Sequence, residues 1–330
     1  MVMLRGSVAR VICSGLIVLT LLVGLPIFSQ IDKTRVPEKP SLRISVDLVV
    51  LDVSVQDKNG QPVHGLNEKD FRVYEDKVEQ PVSSFSAEES PVTWGLVLDR
   101  SSSMRDMTKE VYAAALNVID QGTNEDEMFI MTFNNKTEIV SDLTSDRRQL
   151  ANSIFGLHAD GSTALYDAVD SALDHVKQGK HRKKVLVVVT DGGDNKSRIR
   201  FSRLVEKVKE SDVLIYTVGM YGGMAHNPTE SRLTAEPQNR LRQLAEITGA
   251  YAHFPQDSNK CREVMAKIAQ EVSEHYTIGY YPTKQMRDGR WRKIKVVVDR
   301  QPNAKYIVRS RAGYYAPGTE DGGRDLANDR

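Results

Sequence analysis

Trp94-Gly95-Leu96-Val97-Leu98-Asp99-Arg100-Ser101-Ser102-Ser103-Met104 opens with an apolar run that stops abruptly on a carboxylate. A run of this length bounded by polar residues reads as a buried strand. Ser101 and Ser103 follow at alternate positions in a strand-to-helix loop, so in extended chain they and Asp99 point their oxygens the same way. Four further apolar runs share the pattern: Met128 to Phe133, Val185 to Val189, Val213 to Val218 and the short Ala250 to His253, with a polar strand near Lys136 to Val140. Helical stripes fill the gaps. Val111, Ala115, Val118 and Ile119 make one; Leu165, Ala168, Val169, Ala172, Leu173 and Val176 the next; Phe201, Leu204, Val205 and Val208 a third. Leu241, Leu244 and Ile247 mark a fourth, and Cys261, Val264, Met265, Ile268 and Val272 a fifth. Strands alternating with amphipathic helices give a mostly parallel sheet covered on both faces, so 91–274 is predicted to be a doubly wound α/β domain.

Outward from this domain the period changes to that of strands. On the amino side, Val49, Leu51, Val53 and Val55 form one wholly apolar parity. Asp57-Lys58-Asn59-Gly60 supplies a turn, and Phe71, Val73 and Tyr74 begin another extended piece. On the carboxyl side, Tyr276, Ile278 and Tyr280 alternate, Asp288-Gly289 turns, and Arg292 to Asp299 and Lys305 to Arg311 read as strands. Isolated two- or three-stranded pieces are marginal, so 41–90 and 275–316 are expected to join in one flanking β-sandwich-like domain. The tail 317–330 is polar and reads as disordered.

At the amino terminus, Arg5 and Arg10 precede an apolar run from Val11 to Phe28, which reads as a secretion signal or an uncleaved membrane anchor over 1–30. A polar linker over 31–40, with two prolines, follows. The expected location is therefore outside the cytoplasm: periplasmic, secreted or anchored. With the signal removed, Cys261 is the one remaining cysteine, so no internal disulfide can form, and its place on an apolar stripe reads as a core thiol. The chain has 40% hydrophobic and 27% charged residues and a formal net charge of +1, which gives no whole-chain reason to expect nucleic acid as a partner. Lys177, Lys180, His181, Arg182, Lys183 and Lys184 form a basic run read as helix-end charge, and Arg287, Arg290, Arg292, Lys293 and Lys295 a second, around a hairpin. No Gly-x-Ser-x-Gly elbow, His-Glu-x-x-His, phosphate loop or dinucleotide fingerprint occurs. The segment Gly219-Met220-Tyr221-Gly222-Gly223-Met224 reads as a mobile loop at the rim of the site.

Val185 to Thr190 likewise ends in a carboxylate, Asp191, and Gly161-Ser162-Thr163 precedes the Leu165 helix. Open α/β sheets bind ligands outside the carboxyl ends of their strands, which brings Asp99, Ser101, Ser103, Thr163 and Asp191 toward one crevice. Two carboxylates, three hydroxyls and one open position suit a hard cation such as Mg²⁺. Asp99-x-Ser101-x-Ser103, then Thr163, then Thr190-Asp191-Gly192 resemble the metal-ion-dependent adhesion site (MIDAS) of von Willebrand factor type A domains. The flanks, with Gly313-Tyr314-Tyr315-Ala316-Pro317 at the end, resemble the exported von Willebrand factor type A-related proteins of acidobacteria. The resemblance implies that Ser101, Ser103 and Thr163 bind Mg²⁺ (or Mn²⁺ or Ca²⁺) directly or through water while Asp99 and Asp191 help hold it. It also implies that an Asp or Glu of a protein partner completes the shell. Ser102 departs from the Gly often found there. The expectation is a non-enzymatic, exported adhesion or envelope-assembly module, with a metal-assisted phosphoester or ester hydrolase as the alternative.

Overall fold

The computed structural model describes residues 47–221, 228–300 and 305–318. The expected signal or anchor, the linker, the end of the rim loop and nearly all of the tail lie outside the described residues. The chain begins with strands β1 (Val49–Gln56), β2 (Phe71–Glu75), β3 (Val78–Gln80) and β4 (Val82–Ser86). It continues through β5 (Val92–Asp99), α1 (Thr108–Gln121), β6 (Glu127–Phe133), β7 (Thr137–Thr144), α2 (Arg147–Ile154), α3 (Leu165–Val176) and β8 (Lys183–Thr190). Next come α4 (Phe201–Glu210), β9 (Leu214–Gly219), α5 (Pro228–Thr248), β10 (Ala252–His253) and α6 (Ser258–Ser273). It closes with β11 (Tyr276–Tyr280), β12 (Trp291–Val298), β13 (Ile307–Arg309) and β14 (Gly313–Tyr315).

The six-stranded central sheet runs β10-β9-β8-β5-β6-β7, parallel throughout except for the antiparallel edge strand β7. Its central strands are apolar on both faces because both faces are covered. Leu96, Leu98, Val187 and Val189 pack against Val111, Ala115 and Val118 of α1 and Cys261, Met265 and Ile268 of α6. Val97, Leu186 and Val188 face Leu165, Val169 and Leu173 of α3, Leu204 of α4 and Leu241 of α5. Burial raises the Cys261 thiol to about 11, in keeping with an inert core residue. The doubly wound expectation holds. Helix α2 is an addition that the apolar pattern did not reveal, since only Leu150 and Ile154 of its eight residues are buried.

Order reverses at β5: the chain leaves it for β6 on one side, while β8 lies on the other. The loops after β5 and β8 therefore diverge to opposite faces and leave a crevice at the carboxyl edge between them.

The flanking strands form two antiparallel four-stranded sheets, β13-β1-β11-β4 and β14-β12-β2-β3, each mixing amino- and carboxyl-terminal strands. Leu51, Val53, Ile278 and Tyr280 meet Val73, Ile294 and Val296 between them. The Asp57–Gly60 turn forms, with Gly60 at φ +76° and the Asp57 carboxylate accepting from the Asn59 and Gln61 amides. It does not make a hairpin of β1 and β2. Past one bridge, Gln56 to Pro62, the chain crosses to the other sheet.

The sandwich meets the α/β domain at the amino edge of the central sheet. Arg182 forms a bidentate pair with Asp52 of β1, at 3.1 and 2.7 Å. Arg311 pairs with Asp212, and the Tyr315 hydroxyl donates to Glu206 of α4. The reading of 177–184 as helix-end charge holds for Lys177, the C-cap of α3, and is corrected for Arg182 and Lys183. Helix α3 ends at Val176, and Lys183 is inside β8, buried, with its Nζ donating to the Val272 carbonyl at 2.6 Å. Burial holds its ammonium down to about 8.

Candidate metal centre

Asp99 is the last residue of β5 and is 2% exposed. Its Oδ1 accepts from the Ser101 amide at 2.8 Å, which turns the chain back beneath the carboxylate. Its Oδ2 accepts from the Thr190 hydroxyl at 2.6 Å, so the ends of β5 and β8 are joined side chain to side chain. Ser101 is buried and Ser103 exposed, with their hydroxyl oxygens 3.0 Å apart. Ser102 opens a 3-10 turn and is absent from the two non-glycine residues with positive φ, Asp76 and Lys77. The loop therefore has no need of glycine at that position.

Thr163 is buried and reaches the same place by backbone bonds from both neighbours. The Ser102 amide donates to the Gly161 carbonyl at 3.0 Å, tying the loop after β5 to the loop before α3. The Asn195 and Lys196 amides both donate to the Thr163 carbonyl at 3.0 Å, and the Asn195 side chain accepts from the Thr163 amide at 3.0 Å. Gly161, at φ +83°, makes this turn where an L side chain would be strained and would press on Asn135. Asp191 is half-buried, and its Oδ1 accepts from the Gly193 amide at 2.9 Å. The three loops that carry Asp99, Ser101, Ser103, Thr163 and Asp191 are thus triangulated by direct hydrogen bonds.

Burial first, and then the neighbouring charge of Asp191, raise the Asp99 carboxyl to about 6 against the bonds from Ser101 and Thr190. No lysine or arginine among the described residues forms an ion pair with either carboxylate. A buried carboxylate beside a second one, with an all-oxygen donor set around them, is an environment whose electrostatic deficit a hard divalent cation fits. Among the described residues no group of three or more His, Cys, Asp and Glu is placed to hold a metal, so any cation here must lean on hydroxyls.

Thr190, quoted above in the motif, Tyr221, in the rim loop, and Asn195, which sequence reading does not single out, complete the arrangement. Thr190 donates to Asp99 and accepts from the Gly192 amide at 3.0 Å, a role the motif does not assign to it. Asn195 clamps Thr163, which no local pattern announces. Tyr221, just past β9, is buried with its hydroxyl unpartnered, and a side chain on Gly192 would lie 3.2 Å from that oxygen. Asp194 and Asp160 have turn duties: Asp194 accepts from the Ser197 hydroxyl and the Tyr166 amide, while the Asp160 amide donates to the Arg100 carbonyl.

The von Willebrand factor type A domain model matches residues 95–267, just over half of the sequence, and the chain belongs to that family. The family is one often used in adhesion and protein–protein interaction. An uncharacterised protein of Synechocystis is 26% identical over 174 residues, 50% of this chain and 40% of the relative. One of Borreliella burgdorferi is 24% identical over 179 residues, 53% and 50% of the two chains. The chain thus spans half or less of these curated relatives. Among solved structures, the von Willebrand factor domain of the type V pili tip protein Mfa5 from Porphyromonas gingivalis is 12% identical with a TM-score of 0.47, covering 56% of this chain and 96% of that one. A von Willebrand factor type A protein from Catenulispora acidiphila is 13% identical with a TM-score of 0.47, covering 84% and 75%.

Proposed function

We propose that this protein is an exported, non-enzymatic binding module that holds a divalent cation, Mg²⁺ or alternatively Mn²⁺ or Ca²⁺, at Asp99, Ser101, Ser103, Thr163 and Asp191. Its partner is a protein presenting an Asp or Glu side chain, in adhesion or envelope assembly. The observation that carries the reading is the triangulation of three loops at one sheet edge around two carboxylates with no ion pair among the described residues. When bound, the cation supplies a hard positive centre that accepts an oxygen from the partner's carboxylate. Asp99 and Asp191 supply the neutralising charge; Ser101, Ser103 and Thr163 supply neutral oxygens, which leaves the centre electrophilic. Thr190 fixes the orientation of Asp99 by its 2.6 Å bond. Export rests on the apolar run Val11 to Phe28, which lies outside the described residues. Among the described residues no helix is long and apolar enough to cross a membrane.

The test is Mg²⁺ titration followed by thermal shift and calorimetry on the wild type, Asp99→Ala and Asp191→Ala. A cation that binds only the folded state at a hundred times its Kd stabilises by about 2.7 kcal/mol, and both variants lose that gain. Equal Mg²⁺ responses in wild type and folded variants refute the metal assignment. Capture of carboxylate ligands that persists undiminished in excess EDTA refutes the binding mechanism.

A further inference from the structure

The loop that carries Asp191 runs on through Lys196-Ser197-Arg198-Ile199-Arg200-Phe201-Ser202-Arg203, with four cations in eight residues. This segment is docked on the candidate centre itself, since the Lys196 amide donates to the carbonyl of Thr163 at 3.0 Å. Its backbone is held by acids. Asp167 accepts from the Arg198 and Ile199 amides, and Asp194 accepts from the Ser197 hydroxyl. Asp167 thus grips the main chain and Asp194 the Ser197 side chain, and the cationic side chains are left outward: Lys196, Arg198, Arg200 and Arg203 are all exposed. No ion pair among the described residues involves any of the four. No acidic residue in the first turn of α4 offsets them.

For a chain of formal net charge +1, this is a local excess of positive charge on one rim of the metal edge. Arg240 stands beside it, with its guanidinium 5.6 Å from the Phe201 ring centroid, but is paired with Glu236 and adds no net charge to the strip. The opposite rim is mixed: Arg105 is exposed there together with Asp106 and Asp160. A long polyanion lying across the whole edge would meet those two carboxylates. A short acidic segment running over the α4 side would not.

We propose that Lys196, Arg198, Arg200 and Arg203 form the docking strip for a carboxylate-rich segment of the partner protein, one of whose carboxylates sits at the metal centre. The proposal rests on the function proposed above and adds to it the direction and composition of the bound segment. Exposed charge pairs contribute about 0.2 to 1 kcal/mol each, so three arginines together account for roughly a tenfold change in affinity.

The probe is fluorescein-labelled octaglutamate, with octaglutamine as control, read by anisotropy in Mg²⁺ and in EDTA. The proteins are the wild type, the triple variant Arg198→Gln/Arg200→Gln/Arg203→Gln and the charge-keeping triple lysine variant. Circular dichroism and the Mg²⁺ thermal shift verify that fold and metal binding are unchanged. The expected result is roughly tenfold weaker octaglutamate binding by the glutamine variant, recovered in the lysine variant, with a flatter dependence on salt. Equal binding by wild type and glutamine variant overturns the proposal, as does tighter, Mg²⁺-independent binding of a DNA duplex or a heparin oligosaccharide of the same charge. A wild-type advantage that is the same in EDTA and in Mg²⁺ supports the strip while refuting the metal's part in capture, so the two failures separate.

Discussion

Glu271 of α6 is 3% exposed where the helix meets the sandwich. Its Oε1 accepts from the Tyr216 hydroxyl at 3.1 Å and its Oε2 from the Gln56 side-chain amide at 3.4 Å. Burial dominates these bonds and the more distant charges of Lys267 and Arg309, and raises the carboxyl from 4.5 to about 7. The folded chain therefore keeps a proton that the unfolded chain has lost once the pH passes 4.5. Stability contributed by this site is fully present below 4.5 and is lost as pH rises through about 7. The loss is about 1.4 kcal/mol per pH unit inside that window, about 3 kcal/mol in all. Glu271→Gln keeps a neutral hydrogen-bonding group and removes the titration. Urea unfolding of both chains in EDTA at half-unit steps from pH 5 to 8 measures the difference. His253 and His275 also titrate in acid but are present in both chains, so their contributions largely cancel. The variant should gain on the wild type steadily as pH rises, by 2 to 3 kcal/mol in order of magnitude. A difference that stays flat across the range refutes the reasoning.

His275 is buried, and burial, with Lys183 next, lowers its imidazole to about 3. Because the unfolded chain protonates near 6.5, this site costs stability as pH falls below 6.5, and His275→Gln should shift the acid unfolding midpoint, followed by circular dichroism, to lower pH; an unchanged midpoint refutes the contribution of His275. Tyr221 buries a hydroxyl with no acceptor, which costs about 1 to 3 kcal/mol. Tyr221→Phe measured by urea unfolding in EDTA should thus be at least as stable as the wild type, and a loss above about 1 kcal/mol would show that the hydroxyl has a partner. Thr190→Val deletes the 2.6 Å bond to Asp99 at nearly constant volume and should weaken Mg²⁺ binding by calorimetry about tenfold; unchanged affinity removes Thr190 from the site.

The central sheet was legible because its strands, buried on both faces, are uninterrupted apolar runs, and because their helices show one clean stripe each. Asp99, Ser101 and Ser103 are singled out by the alternation of an extended chain, but the structure corrects that reason: Ser102 and Ser103 lie in a 3-10 turn, which brings the Ser101 and Ser103 hydroxyls within 3.0 Å of each other. Thr190 stands in the motif, but its bond to Asp99 was not legible, since a threonine ending an apolar strand looks the same whether its hydroxyl meets solvent or a carboxylate 91 positions earlier. The burial of Lys183 was hidden for a similar reason: its partner is a main-chain carbonyl 89 residues away, and main-chain groups carry no sequence signal. The Asp57–Gly60 turn was read correctly as a reversal, but local turn chemistry does not choose a sheet. That choice is made by β11 and β12, which pair antiparallel with β1 in one sheet and β2 in the other.

The placement of the sandwich bears directly on the binding reading. Arg182 and Lys183 stand at the start of β8, Asp212 just before β9, and Ala250 and Tyr251 just before β10, all at the amino edge of the central sheet. Of these, Arg182, Asp212, Ala250 and Tyr251 meet the sandwich, through Asp52, Arg311, Arg309 and Gln56, while Lys183 bonds Val272 of α6. Asp99 and Thr190 close the opposite edge. In a parallel sheet every strand's start lies at one edge and its end at the other, so a domain fixed to the starts leaves the loops after the ends uncovered. The exposure of Ser103, Lys196, Arg198 and Arg200 on those loops is therefore a consequence of topology. Had the sandwich strands been carried by a β8–α4 insertion, they would have covered the centre. Entering before β5 and leaving after α6, they hold the domain from behind and leave Ser103 and the basic rim exposed and Asp191 half-buried, while Asp99 itself is buried.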